Sequence, residues 1–108
     1  MYHLKIAALS VNEAYKGRKF ATDALKQYKH DLGYLLPRIV APEGKLSVRY
    51  HFGVSSKKSD GDNCIKAFQD CLSEMLGIND KMIYEWHIKK IDVPKGEEFI
   101  EFDIEKLI

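Results

Sequence analysis

The sequence predicts an α+β sandwich, a mixed sheet packed against two helices in the order β-α-β-α-β-β. Two observations carry this expectation. Two segments repeat their apolar residues at three- and four-residue spacing, the mark of an amphipathic helix, while three others alternate apolar with polar residues, the mark of a strand with one buried face. Glycine and proline punctuate the joins between them.

Tyr2 to Leu9 is short and apolar and reads as the first strand. Ser10 to Ala21 mixes polar and basic residues around Gly17 and reads as a long loop. Thr22 suits an N-cap, because its hydroxyl can accept an otherwise orphaned backbone N–H, and Asp23 favours the positive end of the helix that follows. Leu25, Tyr28, Leu32 and Leu35 form that helix's apolar stripe, which runs to about Leu36; Pro37 stops it, unless Gly33 does so sooner. Leu46, Val48, Tyr50 and Phe52 then alternate with Ser47, Arg49 and His51 in a second strand. After a loop from Gly53 to Gly61, Asp60 or Asp62 can cap a second helix with the stripe Ile65, Phe68, Leu72 and Met75, and Gly77 sits where a left-handed C′ residue is needed. Met82, Tyr84, Trp86 and Ile88 alternate with Ile83, Glu85, His87 and Lys89 in a third strand, with Trp86 expected in the core. A turn at Pro94 to Gly96 leads to a fourth strand, in which Ile100, Phe102 and Ile104 alternate with acidic residues.

A chain of 108 residues fits one domain, residues 1–108, with a modest core that dimerisation would enlarge. A net charge of +1 excludes a histone-like binder held by bulk charge, though local clusters at Lys16, Arg18 and Lys19, at Lys57 and Lys58, and at Lys89 and Lys90 leave nucleic acid open. Cys64 and Cys71 lie two helical turns apart, about 10.5 Å, too far for a disulfide. They read as small buried hydrophobes in a reducing compartment. The opening residues lack the pattern of a secretory signal, and no apolar run is long enough to span a bilayer, so a cytoplasmic protein with no membrane partner is expected. His51 and His87 fall on the polar phases of their strands and read as surface residues.

The segment Asp60-Gly61-Asp62-Asn63-Cys64-Ile65-Lys66-Ala67 sets two carboxylates one residue apart at the mouth of a helix. On the residues alone, Asp62 caps the helix and pairs with Lys66 four positions on, Asp60 is solvated, and Asp70 is a surface charge beside Lys66. Asp80 follows Gly77 at the start of the third strand. Spacing alone does not bring it to Asp60, because a helix of about 14 residues, ~21 Å long, lies between them. Either two loops converge within one chain, or a partner subunit supplies one of the carboxylates.

This segment, followed by Gly77-Ile78-Asn79-Asp80, resembles the D-x-D-N-x-x-K-A motif and the later aspartate of the RusA family of Holliday-junction resolvases. Ser10-Val11-Asn12 and the basic Lys16-Gly17-Arg18-Lys19 resemble that family's opening. The resemblance implies a RusA-like fold, and a metal-dependent endonuclease that resolves four-way DNA junctions by paired, symmetric nicking of phosphodiester bonds. It also implies a homodimer, whose two-fold symmetry matches two sites to two related strands. By the same resemblance, Asp60, Asp62 and Asp80 are metal-binding carboxylates for Mg²⁺, with Mn²⁺ as a substitute, and Lys66 is a catalytic lysine. Lys16, Arg18, Lys19, Lys57 and Lys58 become DNA phosphate contacts. Two alternatives stay open: a broader branched-DNA or flap nuclease, and a junction-binding protein without catalysis.

Overall fold

In the computed structural model the described residues are 1–10, 14–16, 20–55 and 61–107, with the side chains of 15, 16, 20, 21 and 61–63 outside the description. The chain is α+β, as expected. β1 (Tyr2–Leu4) is followed by a two-strand ribbon of β2 (Tyr15–Lys16) and β3 (Phe20–Ala21), and then by helix α1 (Asp23–Leu35). Next come β4 (Leu46–Val54), helix α2 (Gly61–Leu76), a 3₁₀ turn (Asp80–Met82), β5 (Ile83–Asp92) and β6 (Phe99–Lys106).

The main sheet has the order β1-β6-β4-β5. β6 runs antiparallel to both β1 and β4, whereas β5 runs parallel to β4. A parallel pair needs a crossover, and α2 provides it. α2 therefore runs against the two strands it joins, and its first turn lies at their carboxyl ends, where Val54 pairs with Asp92.

Local chemistry accounts for the helix ends. The Thr22 hydroxyl accepts the Leu25 N–H at 3.2 Å and donates to the Ala14 carbonyl at 3.2 Å, so it both caps α1 and ties it to the preceding segment. α2 ends in a Schellman arrangement: Gly77 has φ +67°, and the Ile78 N–H donates to the Ser73 carbonyl at 2.9 Å. A β-carbon at Gly77 would be strained.

The inner face of the sheet carries Leu4, Val48, Tyr50, Phe52, Ile100 and Phe102, all buried beneath the helices. Phe68 of α2 sits over Tyr50, Phe52 and Phe102 with ring centroids 5.1, 5.9 and 5.7 Å away, each in an edge-to-face arrangement. The buried face of α2 is Cys64, Ala67, Phe68, Cys71 and Leu72. This is rotated from the stripe expected from sequence, since Ile65 is only partly buried and Met75 is exposed. Cys64, Ala67 and Cys71 are small, and turning them inward lets the helix approach the aromatic floor. Both cysteines are buried and neither is in a disulfide. Burial is the main cause that pushes the Cys71 thiol up to about 11; nearby Lys29 acts against the rise, while Glu74 and Asp70 add to it.

Other expectations are corrected as well. The stretch from Ser10 to Ala21, expected as a loop, holds the β2–β3 ribbon. The first strand stops at Leu4 and not Leu9, because the Ile6 N–H turns back to the Leu4 carbonyl at 3.0 Å. Trp86 is not in the core: it is 46% exposed, on the edge strand β5.

The outer face is polar. Glu101 lies between His3 at 3.1 Å and His51 at 3.5 Å, and hydrogen bonds and charge from both rings hold its carboxyl below the usual range, the bond from His3 most of all. A carboxylate with a lowered folded-state pKa contributes stability above its unfolded pKa, and that contribution is lost as pH falls through the folded value. Melting curves taken between pH 7 and pH 3 should therefore show a steeper acid loss for the native chain than for Glu101→Gln; parallel curves would remove this contact from the acid response.

Gly53 pairs with Phe99, and a β-carbon there would collide with the Phe99 ring. Gly53→Ala should cost about 1–3 kcal/mol by overpacking. Urea unfolding measures this, and Phe99→Leu in the same chain should recover part of the loss.

Candidate active site

α2 stands at the centre of the site because the motif opens it. Asp62 lies in its first turn, where the helix dipole favours negative charge. Its side chain, like that of Asn63, is outside the description, and Asp60 lies outside the described residues altogether. Lys66 follows one turn after Asp62, on the same side of the helix and exposed. Its ammonium meets Asp70 Oδ2 at 3.2 Å. An exposed pair at this spacing contributes only about 0.3–0.5 kcal/mol, so Lys66 can turn to a phosphate oxygen at little cost.

Asp80 opens the 3₁₀ turn, which Asn79 caps by accepting the Lys81 N–H at 3.0 Å. Asp80 Oδ1 accepts a hydrogen bond from the Ser73 hydroxyl, and Ser73 in turn accepts from Gln69 Nε2 at 2.7 Å. Gln69 Oε1 accepts from the Tyr50 hydroxyl. The result is a continuous polar chain from the floor of the core through one flank of α2 to an exposed carboxylate. Burial pushes the Tyr50 hydroxyl well above its ordinary range, the charge of Asp80 adds to the rise, and the bond to Gln69 opposes it. Gln69 and Ser73 were not singled out from sequence. The available signal was a glutamine and a serine four residues apart, flanking Phe68 and Leu72 on an otherwise apolar surface.

This anchoring fixes where Asp80 is. Ser73 follows Asp62 by eleven positions, about 16 Å along the helix axis. Within one chain, then, Asp62 and Asp80 belong to opposite ends of α2. Among the described residues no three His, Cys, Asp or Glu side chains gather as a metal site. Asp80 nonetheless suits a hard cation: it is exposed, and a carboxylate has about four lone-pair positions, of which Ser73 occupies one.

Of the basic candidates, Lys16 lies in β2 with its side chain outside the description, and Arg18, Lys19, Lys57 and Lys58 lie outside the described residues. Lys89 and Lys90 are exposed on β5. No described helix is long and apolar enough to cross a membrane.

A search of curated proteins finds no match. The family model described as "Endodeoxyribonuclease RusA" matches residues 5–101, nearly the whole chain and every motif residue discussed above. The chain belongs to the RusA endodeoxyribonuclease family.

Proposed function

We propose that this protein is a Mg²⁺-dependent, homodimeric, cytoplasmic endonuclease that resolves four-way DNA junctions by paired symmetric nicks. The observation that carries the proposal is the family match across residues 5–101 together with the complete motif Asp60, Asp62, Lys66 and Asp80. Oxygen donors of this kind suit Mg²⁺ or Mn²⁺, and Asp60, Asp62 and Asp80 would hold the ion. A divalent ion so bound supplies an activated water and offsets charge on the scissile phosphate.

The chain's own residues do the rest. Lys66 presents an exposed ammonium one turn from Asp62, paired with Asp70, that would stabilise charge developing on phosphate or leaving oxygen. Ser73 holds Asp80 in one orientation, so less ordering is needed when the site assembles. Lys16, Arg18, Lys19, Lys57 and Lys58 would contact backbone phosphates, giving affinity without sequence readout.

The test is a labelled synthetic junction incubated with purified protein and Mg²⁺. Paired nicks at symmetric positions are expected. Equal cutting of flaps and junctions would make it a broader branched-DNA nuclease, and binding without cutting would make it a junction-binding protein.

A further inference from the structure

Tyrosine hydroxyls and thiols aside, the buried polar side chains among the described residues are Gln69 and Ser73. Both belong to the string of hydrogen bonds that runs from Tyr50 to Asp80. Stability does not call for such a string, because apolar groups of the same shape would serve the core nearly as well. What the string adds is direction.

The charge of Asp80 sets that direction. An ionised carboxylate only accepts, so the single hydroxyl proton of Ser73 points at Asp80 Oδ1. The Ser73 oxygen is then left to accept, which turns the Gln69 amide nitrogen toward it at 2.7 Å. The amide oxygen therefore faces Tyr50, whose hydroxyl donates. In the opposite sense the Ser73 proton would go to the amide oxygen, and the Ser73 oxygen would meet the carboxylate with no proton between them. Tyr50 is fully buried on β4, and Gln69 and Ser73 lie one turn apart on α2, so regular structure holds every member of the string except Asp80.

We propose that this string makes Oδ2 the metal-binding oxygen of Asp80, and that Ser73, positioned by Gln69 and Tyr50, thereby biases the site toward a small octahedral cation such as Mg²⁺ or Mn²⁺ over Ca²⁺. The proposal rests on the metal-nuclease reading and deepens it. Ser73 acts through Asp80 and is a positioning residue. Its hydrogen bond draws charge from Oδ1 and fixes the plane of the carboxyl group, so the two oxygens are not equivalent. Ca²⁺ gathers about six to eight oxygens and often takes both from one carboxylate, whereas Mg²⁺ demands a tighter octahedron and is served by one. A carboxylate held by one oxygen suits the second kind of ion and handicaps the first.

The test is Mn²⁺ binding to the full chain, read from the free-ion electron paramagnetic resonance signal, with Ca²⁺ as competitor. Asp80→Ala identifies the ions that depend on Asp80. For those ions Ser73→Ala should lower the preference for Mn²⁺ over Ca²⁺ by about tenfold or more, the scale on which partners that orient a ligand act. Ser73→Thr keeps the hydroxyl and should keep the native preference. Tyr50→Phe, Gln69→Leu and Ser73→Ala combined in one chain leave no member of the string orphaned in the core; this variant should show the same shift, and it decides the matter if Ser73→Ala alone unfolds. An unchanged preference in a folded variant that lacks the hydroxyl, or an equal shift in Ser73→Thr, overturns the proposal, as does retention of all bound Mn²⁺ by Asp80→Ala. Each of these leaves the nuclease reading standing as long as the native chain cuts junctions with Mg²⁺. A native chain that neither cuts nor binds Mn²⁺ overturns that reading, and the proposal with it.

Discussion

Asp62→Asn should reduce junction cleavage by at least about 100-fold, the scale seen when one preorganised electrostatic group is taken from a reaction centre. Junction binding should survive. Affinity for DNA comes mainly from cations meeting phosphates, and this substitution removes an anion from their neighbourhood. The fold should survive as well. Asp62 lies in the first turn of α2, and asparagine serves the start of a helix about as well as aspartate does. Loss of cutting with unchanged melting and unchanged gel shift is therefore the expected combination. Asp70→Asn is the control: it removes a carboxylate eight residues on, whose described role is an exposed pair with Lys66, and it should leave cleavage within a few-fold of native. Undiminished cutting by Asp62→Asn would take Asp62 out of the site.

The parts of this fold that were legible in the sequence are those fixed by neighbours in the chain. Thr22 caps α1 because its side chain reaches only three residues on. Gly77 ends α2 because glycine takes the left-handed backbone angle there without the β-carbon strain of most other residues. Leu46, Val48, Tyr50 and Phe52 alternate, and all four are buried. What escaped depended on tertiary placement. Trp86 alternates as regularly as Tyr50, but its strand lies at an edge that α2 does not cover. The stripe on α2 was misjudged by about one position, because size pointed to Ile65 and Met75 whereas close approach to the sheet favours Cys64, Ala67 and Cys71. The site divides in the same way. The motif is a local string and can be read as one, and its likeness to the family was visible from Asp60 to Asp80. The distance between Asp62 and Asp80 follows from a crossover helix and a hydrogen bond to Ser73, neither of which spacing reveals.

Phe68→Ala should be the most damaging single change to the fold. Phe68 is fully buried and is the one residue of α2 whose ring meets Tyr50 and Phe52 of β4 and Phe102 of β6 together. Truncation removes the ring's burial and leaves a cavity between helix and sheet, at a cost of about 3–5 kcal/mol. Against a total of roughly 5–15 kcal/mol for a domain of this size, that is a large share. At about 4–8 °C per kcal/mol, the melting temperature should fall by more than ~12 °C, which thermal denaturation followed by circular dichroism measures. Phe68→Leu should lose much less, since it refills most of the volume. The effect reaches the site because Gln69 is the next residue: a helix that settles into the cavity carries Gln69 away from Tyr50 and shifts Ser73, which holds Asp80. Phe68→Ala should thus lower cleavage even at temperatures where it remains folded, with Phe68→Leu recovering both stability and activity. A drop of only a few degrees for Phe68→Ala would mean that α2 is not seated on this aromatic floor, and the placement of Asp80 relative to Asp62 would have to be rebuilt from a different helix position.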